Sequence, residues 1–258
     1  MIVIKLGGAA LQHCLDSDVV FESLVKNYKS KFAIVHGGGP EITSTAKALG
    51  IESKFIDGQR VTDEAMLKVV MMALRGTTNS KLVLSLMNQN QDSMGMSGLD
   101  GNMFECEEEN PKLGLVGKIK TVHRKTLDLI LAQGLAPVIA PIGYFTKNGT
   151  TMPCNVNADL AATGLAQSLK ATQVVFATDT EGVLDSEKKC IAKLNIAQTK
   201  RLIEDGTIQG GMVVKIRAAL EFLEKCPGSS LRIAGGKNAQ DVAKVFEDQD
   251  YGTTIVNG

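Results

Sequence analysis

Lys5 closes on the end of the apolar run MIVIKL and is followed at once by Gly7 and Gly8. A lysine is a poor occupant of a buried strand end unless its ammonium group has a task. The plain alternative is a side chain that snorkels to water at a sheet edge. Far along the chain, Lys215 lies three residues after Met212 and four before Ala219. That places it inside the helical stripe Met212, Ile216, Ala219, Leu220 and Leu223 that follows Gly210-Gly211. A cation turned to the protein side of a helix costs free energy unless an anion meets it, so Lys215 is half of a structural ion pair or part of an anion site. Between the two lysines, MPCNVNADLAATGLA spaces Asn155, Asn157 and Asp159 by two. An extended segment would present all three on one side. A helix starting after Asn157 would instead use that residue as its N-cap and hold Asp159 in its first turn. Capping explains Asn157 and Asp159 and leaves Asn155 without a reason.

Glycines supply the second half of the chemistry. In FAIVHGGGPEIT, Ile34-Val35 read as the end of a strand and Pro40 as the first residue of a helix, with Gly37, Gly38 and Gly39 forming the turn. A helix N-terminus offers free N–H groups and partial positive charge, and glycines let an anion come close. A tight turn with no ligand is the bland reading. Neither glycine loop matches G-x-x-x-x-G-K-[ST], which excludes an ordinary P-loop, and the dinucleotide fingerprint G-x-G-x-x-G is absent. FATDTEGVLD is a strand entering an acidic, glycine-containing loop, a common setting for the base and ribose of a nucleotide. Two lysines, two glycine loops and one Asp, with no nucleophile and no metal cage, point to phosphoryl transfer. That reaction needs in-line positioning and positive charge around the equatorial oxygens more than covalent help. Lysines can approach the group from opposite sides, an Asp between them would fix both, and Mg²⁺ rides on the nucleotide phosphates. An acceptor that is already a carboxylate needs no general base.

These residues must be placed by a chain of 258 residues, 44% of them hydrophobic, enough for a sizeable core. Lys+Arg and Asp+Glu are equal at 28 each and aromatics are 4%, so there is no basic stripe with interleaved aromatics for nucleic acid. The five cysteines are scattered without a C-x-x-C pair, and the three histidines form no H-E-x-x-H, which suits a reducing, cytoplasmic setting and argues against a protein-held metal. MIVIKLGG reads as strand and turn rather than as a signal peptide, and no apolar run reaches the ~18 residues of a membrane span. MIVIKL, FAIVH, LAPVIAPIG, TQVVFATD and SSLRIAGG read as buried strands. Helical spacing joins Phe21, Leu24, Val25 and Tyr28, then Ile42, Thr45, Ala46 and Leu49 with a stop at Gly50, then KTLDLILAQG with a stop at Gly134. The alternation predicts an α/β sandwich around a mainly parallel sheet. Asp57-Gly58 marks a hairpin in KFIDGQRVT, and GLDGNMFECEEENPKLGLVGKIKTV predicts further hairpins projecting from the sheet. The helix in VTDEAMLKVVMMALRG has little polar face, so it is a central core helix or one side of it meets a second copy of the chain.

KLGG, VHGGGP, DGQRVTD, GLDG, NVNAD, TDTEGVLD and GGMVVKI occur in this order across nearly the whole chain. Together they resemble the amino-acid kinase family, and within it the members that phosphorylate the γ-carboxylate of N-acetyl-L-glutamate with ATP. The resemblance implies a three-layer αβα sandwich in two lobes, residues 1–169 binding the acyl-amino acid and forming a homodimer, residues 170–258 binding ATP. It implies that Lys5 and Lys215 stabilise the migrating phosphoryl group and that Asp159 orients them. By the same resemblance Gly8, Gly38 and Gly39 line the phosphate path, the latter two also touching the substrate. Arg60 clamps a substrate carboxylate, Asn155 holds the acetylamino portion, and Asn157 assists near the reacting groups. Asp179, Thr180, Glu181, Gly182, Val183 and Leu184, with Thr207, Ile208 and Gln209, are implied to surround the nucleotide. Arginine-inhibited members carry an additional N-terminal helix that links dimers into hexamers. Here the first strand starts at Ile2, which gives the expectation of an arginine-insensitive homodimer paired through the Met-rich helix of VTDEAMLKVVMMALRG. Thr178 and Thr180 flanking Asp179, and the acidic run in GLDGNMFECEEEN, depart from the family pattern and leave fine specificity open. Two rivals stand beside this reading: a related kinase acting on carrier-linked aminoadipate or glutamate, and a non-catalytic amino-acid-sensing module.

Overall fold

The computed structural model describes residues 1–29 and 31–258. Strands Ile2–Leu6, Phe32–His36 and Ala136–Ala140 are buried at every position, the expected state of a parallel sheet covered on both faces. They belong to one eight-stranded sheet, ordered Lys193–Asn195, Thr253–Val256, Ser230–Gly235, Gln173–Thr178, Ile2–Leu6, Phe32–His36, Ala136–Ala140 and Ser93–Ser97. All neighbours run parallel except Ser230–Gly235 against Thr253–Val256. Side chains alternate across the sheet, and the alternation decides where the chemistry goes. On the first strand Ile2, Ile4 and Leu6 pack with Leu11, Phe21 and Leu24 on one face. Val3 packs on the other, with Ala161, Ala162 and Leu165 of helix Ala158–Leu169. Lys5 shares the face of Val3 and is directed toward that helix.

The sequence left several strands unread. LAPVIAPIG is not one strand: the chain breaks at Pro141, and Ile142–Lys147 leaves the main sheet. With Phe104–Glu108, Val116–Val122 and Thr150–Val156 it closes a small four-stranded barrel, so the expected hairpins form a second body rather than simple projections. Phe104, Cys106, Phe145 and Cys154 fill the barrel's interior. Gly117 has no room for a Cβ beside Cys106 and Cys154, and Gly143 has none beside Cys106 and Phe104. Ser93–Ser97, Lys193–Asn195 and Thr253–Val256 carry too few apolar residues to announce themselves.

The Met-rich helix runs as α-helix from Glu64 to Met71, as π-helix from Met72 to Thr78, and as α-helix again from Asn79 to Asn88. Asp63 caps its start, accepting from the Met66 N–H at 2.8 Å. Gly76, Thr77 and Thr78 are weak helix formers, which eases the wider turn. Most of its apolar residues are buried, as expected of a core helix, while Met72 is exposed. The turn at Asp57-Gly58 has both residues at positive φ, 49° and 78°, the geometry that the Asp-Gly pair predicts. Among the described residues no helix is long and apolar enough to cross a membrane.

Candidate active site

Four helices start where a strand or loop ends on glycine or asparagine. Gly8–Asp16 follows the first strand and Gly39–Ala48 follows Phe32–His36. Ala158–Leu169 follows Thr150–Val156, and Gly211–Lys225 follows the loop after Gly206. The first two begin at the carboxyl ends of adjacent parallel strands, where open α/β sheets form their ligand crevices. Pro40 is the second residue of its helix rather than the first, a shift of one position. Asn157 is the N-cap predicted by the capping alternative, accepting from the Asp159 and Leu160 N–H groups at 2.8 and 3.3 Å. Asp159 therefore lies in the first turn of a helix and not on an extended run with Asn155.

The two lysines meet on that aspartate. Lys5 Nζ lies 2.9 Å from Asp159 Oδ1, and Lys215 Nζ lies 3.1 Å from Oδ2. The Lys5 and Asp159 side chains are 8% and 7% exposed, while Lys215 keeps 22%, so one ammonium is sequestered and the other faces an opening. Gly7 is part of the arrangement, because a Cβ there would collide with the Lys5 ammonium. Burial pushes the Asp159 carboxyl up, yet the charges of Lys5 and Lys215 outweigh it and hold the group below its ordinary range. Burial also pulls the Lys5 ammonium below its ordinary value, with Asp159 opposing the fall and Lys215 adding to it. Two cations on one carboxylate leave a net positive charge, so the cluster is complementary to a further anion.

Gly38, Gly39, Arg60, Asn155 and Asn157 line one cavity of about 200 Å³, joined by Gly37, Phe55, Val116, Pro141 and Ala158. Arg60 is 8% exposed and donates to Ser53 Oγ at 2.6 Å, Thr43 Oγ1 at 2.9 Å and the Gly39 carbonyl at 3.2 Å. Its guanidinium stacks over Phe55, 4.7 Å from the ring centre. Every acceptor is neutral, and no carboxylate among the described residues pairs with it. A buried guanidinium of this kind is set up for an anion from outside. Asn155 Nδ2 donates to Thr62 Oγ1 at 3.3 Å and leaves its carbonyl oxygen for a ligand. Gly8 stands in a small crevice beside Gly38 and Thr78.

Thr180, Gly182, Val183, Leu184, Thr207, Ile208 and Gln209 line a separate, open cavity of about 580 Å³ together with Met212, one turn before Lys215. Its volume suits a nucleotide. The Thr180 hydroxyl oxygen is buried there without a protein partner among the described residues. Asp179 and Glu181 depart from expectation: the loop alternates, and neither lines the cavity. Asp179 is exposed and accepts from the Thr178 hydroxyl at 3.0 Å, while Glu181 is exposed on the side of Lys244 and Tyr251. The Lys5–Asp159–Lys215 cluster falls at the seam between the two cavities, since Asn157 and Ala158 wall one and Met212 walls the other.

With that geometry in place, the likeness to known proteins is decisive. Residues 1–234 match the Amino acid kinase family. The chain belongs to that family. This amino acid kinase is 37% identical over 261 residues to the acetylglutamate kinase of Caldanaerobacter subterraneus subsp. tengcongensis, covering 98% of this chain and 86% of that protein. It is 37% identical over 258 residues to the acetylglutamate kinase of Campylobacter curvus, covering 99% and 91%. Among solved structures, smu.665 from Streptococcus mutans UA159 superimposes with a TM-score of 0.82 at 26% identity, over 100% of this chain and 98% of that one.

Several residues of the kinase's site are not among the functional candidates read from the sequence. Leu74 and Thr78 of the π-helix close over Gly38, and Thr62 holds Asn155. His36 is wholly buried directly before the three glycines. Its position, a polar residue ending an otherwise apolar strand, is the same kind of signal that singled out Lys5.

Proposed function

We propose that the protein transfers the γ-phosphoryl group of ATP to the side-chain carboxylate of N-acetyl-L-glutamate, forming N-acetyl-L-glutamyl 5-phosphate and ADP, the second step of arginine biosynthesis. The observation that carries this reading is the single carboxylate of Asp159 holding both Lys5 and Lys215 between two cavities. One cavity contains a buried guanidinium with no carboxylate partner among the described residues, and the other is of nucleotide size. The acceptor lies in the first with its α-carboxylate on Arg60 and its acetylamino group on Asn155. Asn157 caps the helix that fixes Asp159 and stands beside the reacting oxygen. A γ-carboxylate oxygen attacks the terminal phosphorus, the bond to the bridging oxygen breaks, and ADP departs with the electron pair. No proton moves from the acceptor, which is why no general base is needed. Lys5 and Lys215 stabilise the charge on the migrating group, and the N–H groups of Gly8, Gly38 and Gly39 line its path.

ATP is held by Thr180 and Gly182 to Leu184 with Thr207 to Gln209, Asp179 and Glu181 flanking at the rim. Mg²⁺ travels on the nucleotide phosphates and adds positive charge there. Among the described residues no group of three His, Cys, Asp or Glu side chains is gathered to hold a metal. The proposed lobes are residues 1–169 for the acyl-amino acid and 170–258 for ATP, supported by the separate origins of the two cavity linings. A cytoplasmic setting is part of the proposal, supported by cysteines that are all free thiols.

The test is chemical. Protein, MgATP and N-acetyl-L-glutamate with hydroxylamine present should yield the hydroxamate of the acyl phosphate. A product from glutamate, aspartate or aminoadipate with none from acetylglutamate rejects the substrate, and binding of acetylglutamate without any turnover rejects the kinase.

A further inference from the structure

His36 ends the strand that leads into Gly37, Gly38 and Gly39, and it is fully buried. Both ring nitrogens are engaged. Nδ1 lies 2.8 Å from the Gly37 carbonyl oxygen, and Nε2 lies 3.0 Å from Asn79 Nδ2. A carbonyl can accept and not donate, so the proton sits on Nδ1. The amide of Asn79 is oriented by its other contacts: Nδ2 also donates to the Val138 carbonyl at 2.9 Å, with the Met96 carbonyl at a longer 3.4 Å, and Oδ1 accepts from Arg75 at 3.4 Å. The amide nitrogen thus faces Nε2 as a donor, and Nε2 is an acceptor with no proton. One neutral tautomer suits the contacts of both ring nitrogens. Consistent with this, burial holds the imidazole far below its ordinary value, at about 4, against the pull of the Gly37 carbonyl.

The consequence for the glycine turn follows from peptide planarity. In a trans peptide the carbonyl and the next N–H point in opposite directions, and there are no cis peptide bonds among the described residues. Drawing the Gly37 carbonyl back onto the buried His36 ring turns the Gly38 N–H away from that ring, and Gly38 lines both the substrate cavity and the crevice with Gly8. Among the described residues that N–H has no protein acceptor. We propose that His36, fixed in one tautomer by Asn79, is a positioning residue that aims the Gly38 N–H at the migrating phosphoryl group. This rests on the phosphoryl-transfer reading above and adds the device that orients one of its donors.

Steady-state kinetics with ATP and N-acetyl-L-glutamate, alongside thermal melts, test it with three variants. His36→Leu fills the space without a donor and should lower kcat about tenfold to a hundredfold with the KM for acetylglutamate changed less than about threefold, since the donor acts in the transition state. His36→Asn can put an amide N–H near the place of Nδ1–H and should recover most of kcat. Asn79→Leu should lower kcat as His36→Leu does, and the double variant should lose no more than either single one. Wild-type kcat in His36→Leu, or losses in all variants that follow melting temperature with no recovery in His36→Asn, overturns the proposal. Should the leucine variants not fold, ¹⁵N shifts of the wild-type imidazole at pH 7 decide. A protonated Nδ1 with a bare Nε2 supports it, and the opposite tautomer or an imidazolium overturns it. Wild-type protein that makes no acyl phosphate counts against the reaction assigned and leaves the tautomer measurement independent.

Discussion

Asp159 illustrates how one side chain can carry structure and chemistry at once, and how the two can be separated. Replacing it with Asn leaves Lys5, 8% exposed, without its counter-charge and facing a second ammonium. Loss of one partner from a buried pair costs about 3–5 kcal/mol. Lys215→Ala leaves the Lys5–Asp159 pair intact and removes the more exposed partner. The expected result is a divergence: Asp159→Asn loses much of its folding free energy in urea titrations, while Lys215→Ala stays near wild-type stability with kcat lowered ~10²- to 10³-fold. The stability gap between wild type and Asp159→Asn also depends on pH with a defined sign. The folded pKa of Asp159 lies below its ordinary value, so its contribution is complete above that value and disappears as the pH falls through the depressed one. The gap should therefore close in strong acid and be flat near neutrality. At this scale the sequence was legible wherever a residue type contradicted its surroundings, as with Lys5 at the end of a buried strand. Arg60, and the role of Asn155, were carried by resemblance, because their partners lie elsewhere in the chain.

At the scale of elements, helix starts and glycine turns were readable because their signals are local: Asp57-Gly58, Gly50, Gly134 and the Asn157 cap all act within a few residues. The three glycines after His36 prove to differ in what they permit. Gly39 has open space where a Cβ would stand, whereas at Gly38 a Cβ would come within 2.5 Å of Leu74 and 3.4 Å of Thr78 Oγ1. Leu74 is itself buried in the π-helix, so it has little room to turn aside. Gly38→Ala should thus lose about 1–3 kcal/mol by overpacking, while Gly39→Ala should melt as wild type and show its effect in acetylglutamate KM or kcat. Equal melting temperatures for the two variants would refute this division of labour. The anion argument from sequence explained Gly39 and the helix N-terminus; the close approach of another helix at Gly38 could not be seen without it. Arg232 is a parallel case. It is fully buried and donates to the carbonyls of Val245 and Asp248 at the end of helix Ala239–Glu247, at 2.5 and 2.6 Å. A cation there is favoured by the helix dipole.

For the whole molecule, one end of the sheet bears on how copies of the chain can meet. Ser93–Ser97 is the outermost strand on one side, and Met94 on it is exposed. The helix packed against that strand exposes Leu84 and Met87, which lie three residues apart and so on one face. An edge strand and an apolar helix face side by side are suited to a two-fold partner. We propose that this face, the continuation of the Met-rich helix, pairs two copies of the chain. Sedimentation at micromolar concentration should give a dimer, and Leu84→Glu with Met87→Glu should give a folded monomer. A wild-type monomer, or a dimer indifferent to both charges, would place the contact elsewhere or remove it.

The sequence by itself determined the buried strands of the main sheet, the capped helices, and the chemistry that two lysines, one aspartate and two glycine turns could perform, because periodicity, caps and residue type are properties of neighbours along the chain. Tertiary structure alone decided that the lysines share one carboxylate, that Ile142–Lys147 turns away into a barrel, and that His36 grips the peptide ahead of Gly38. Those outcomes depend on sheet order and on which face each alternating side chain takes, and both are fixed by contacts between segments that the sequence keeps far apart.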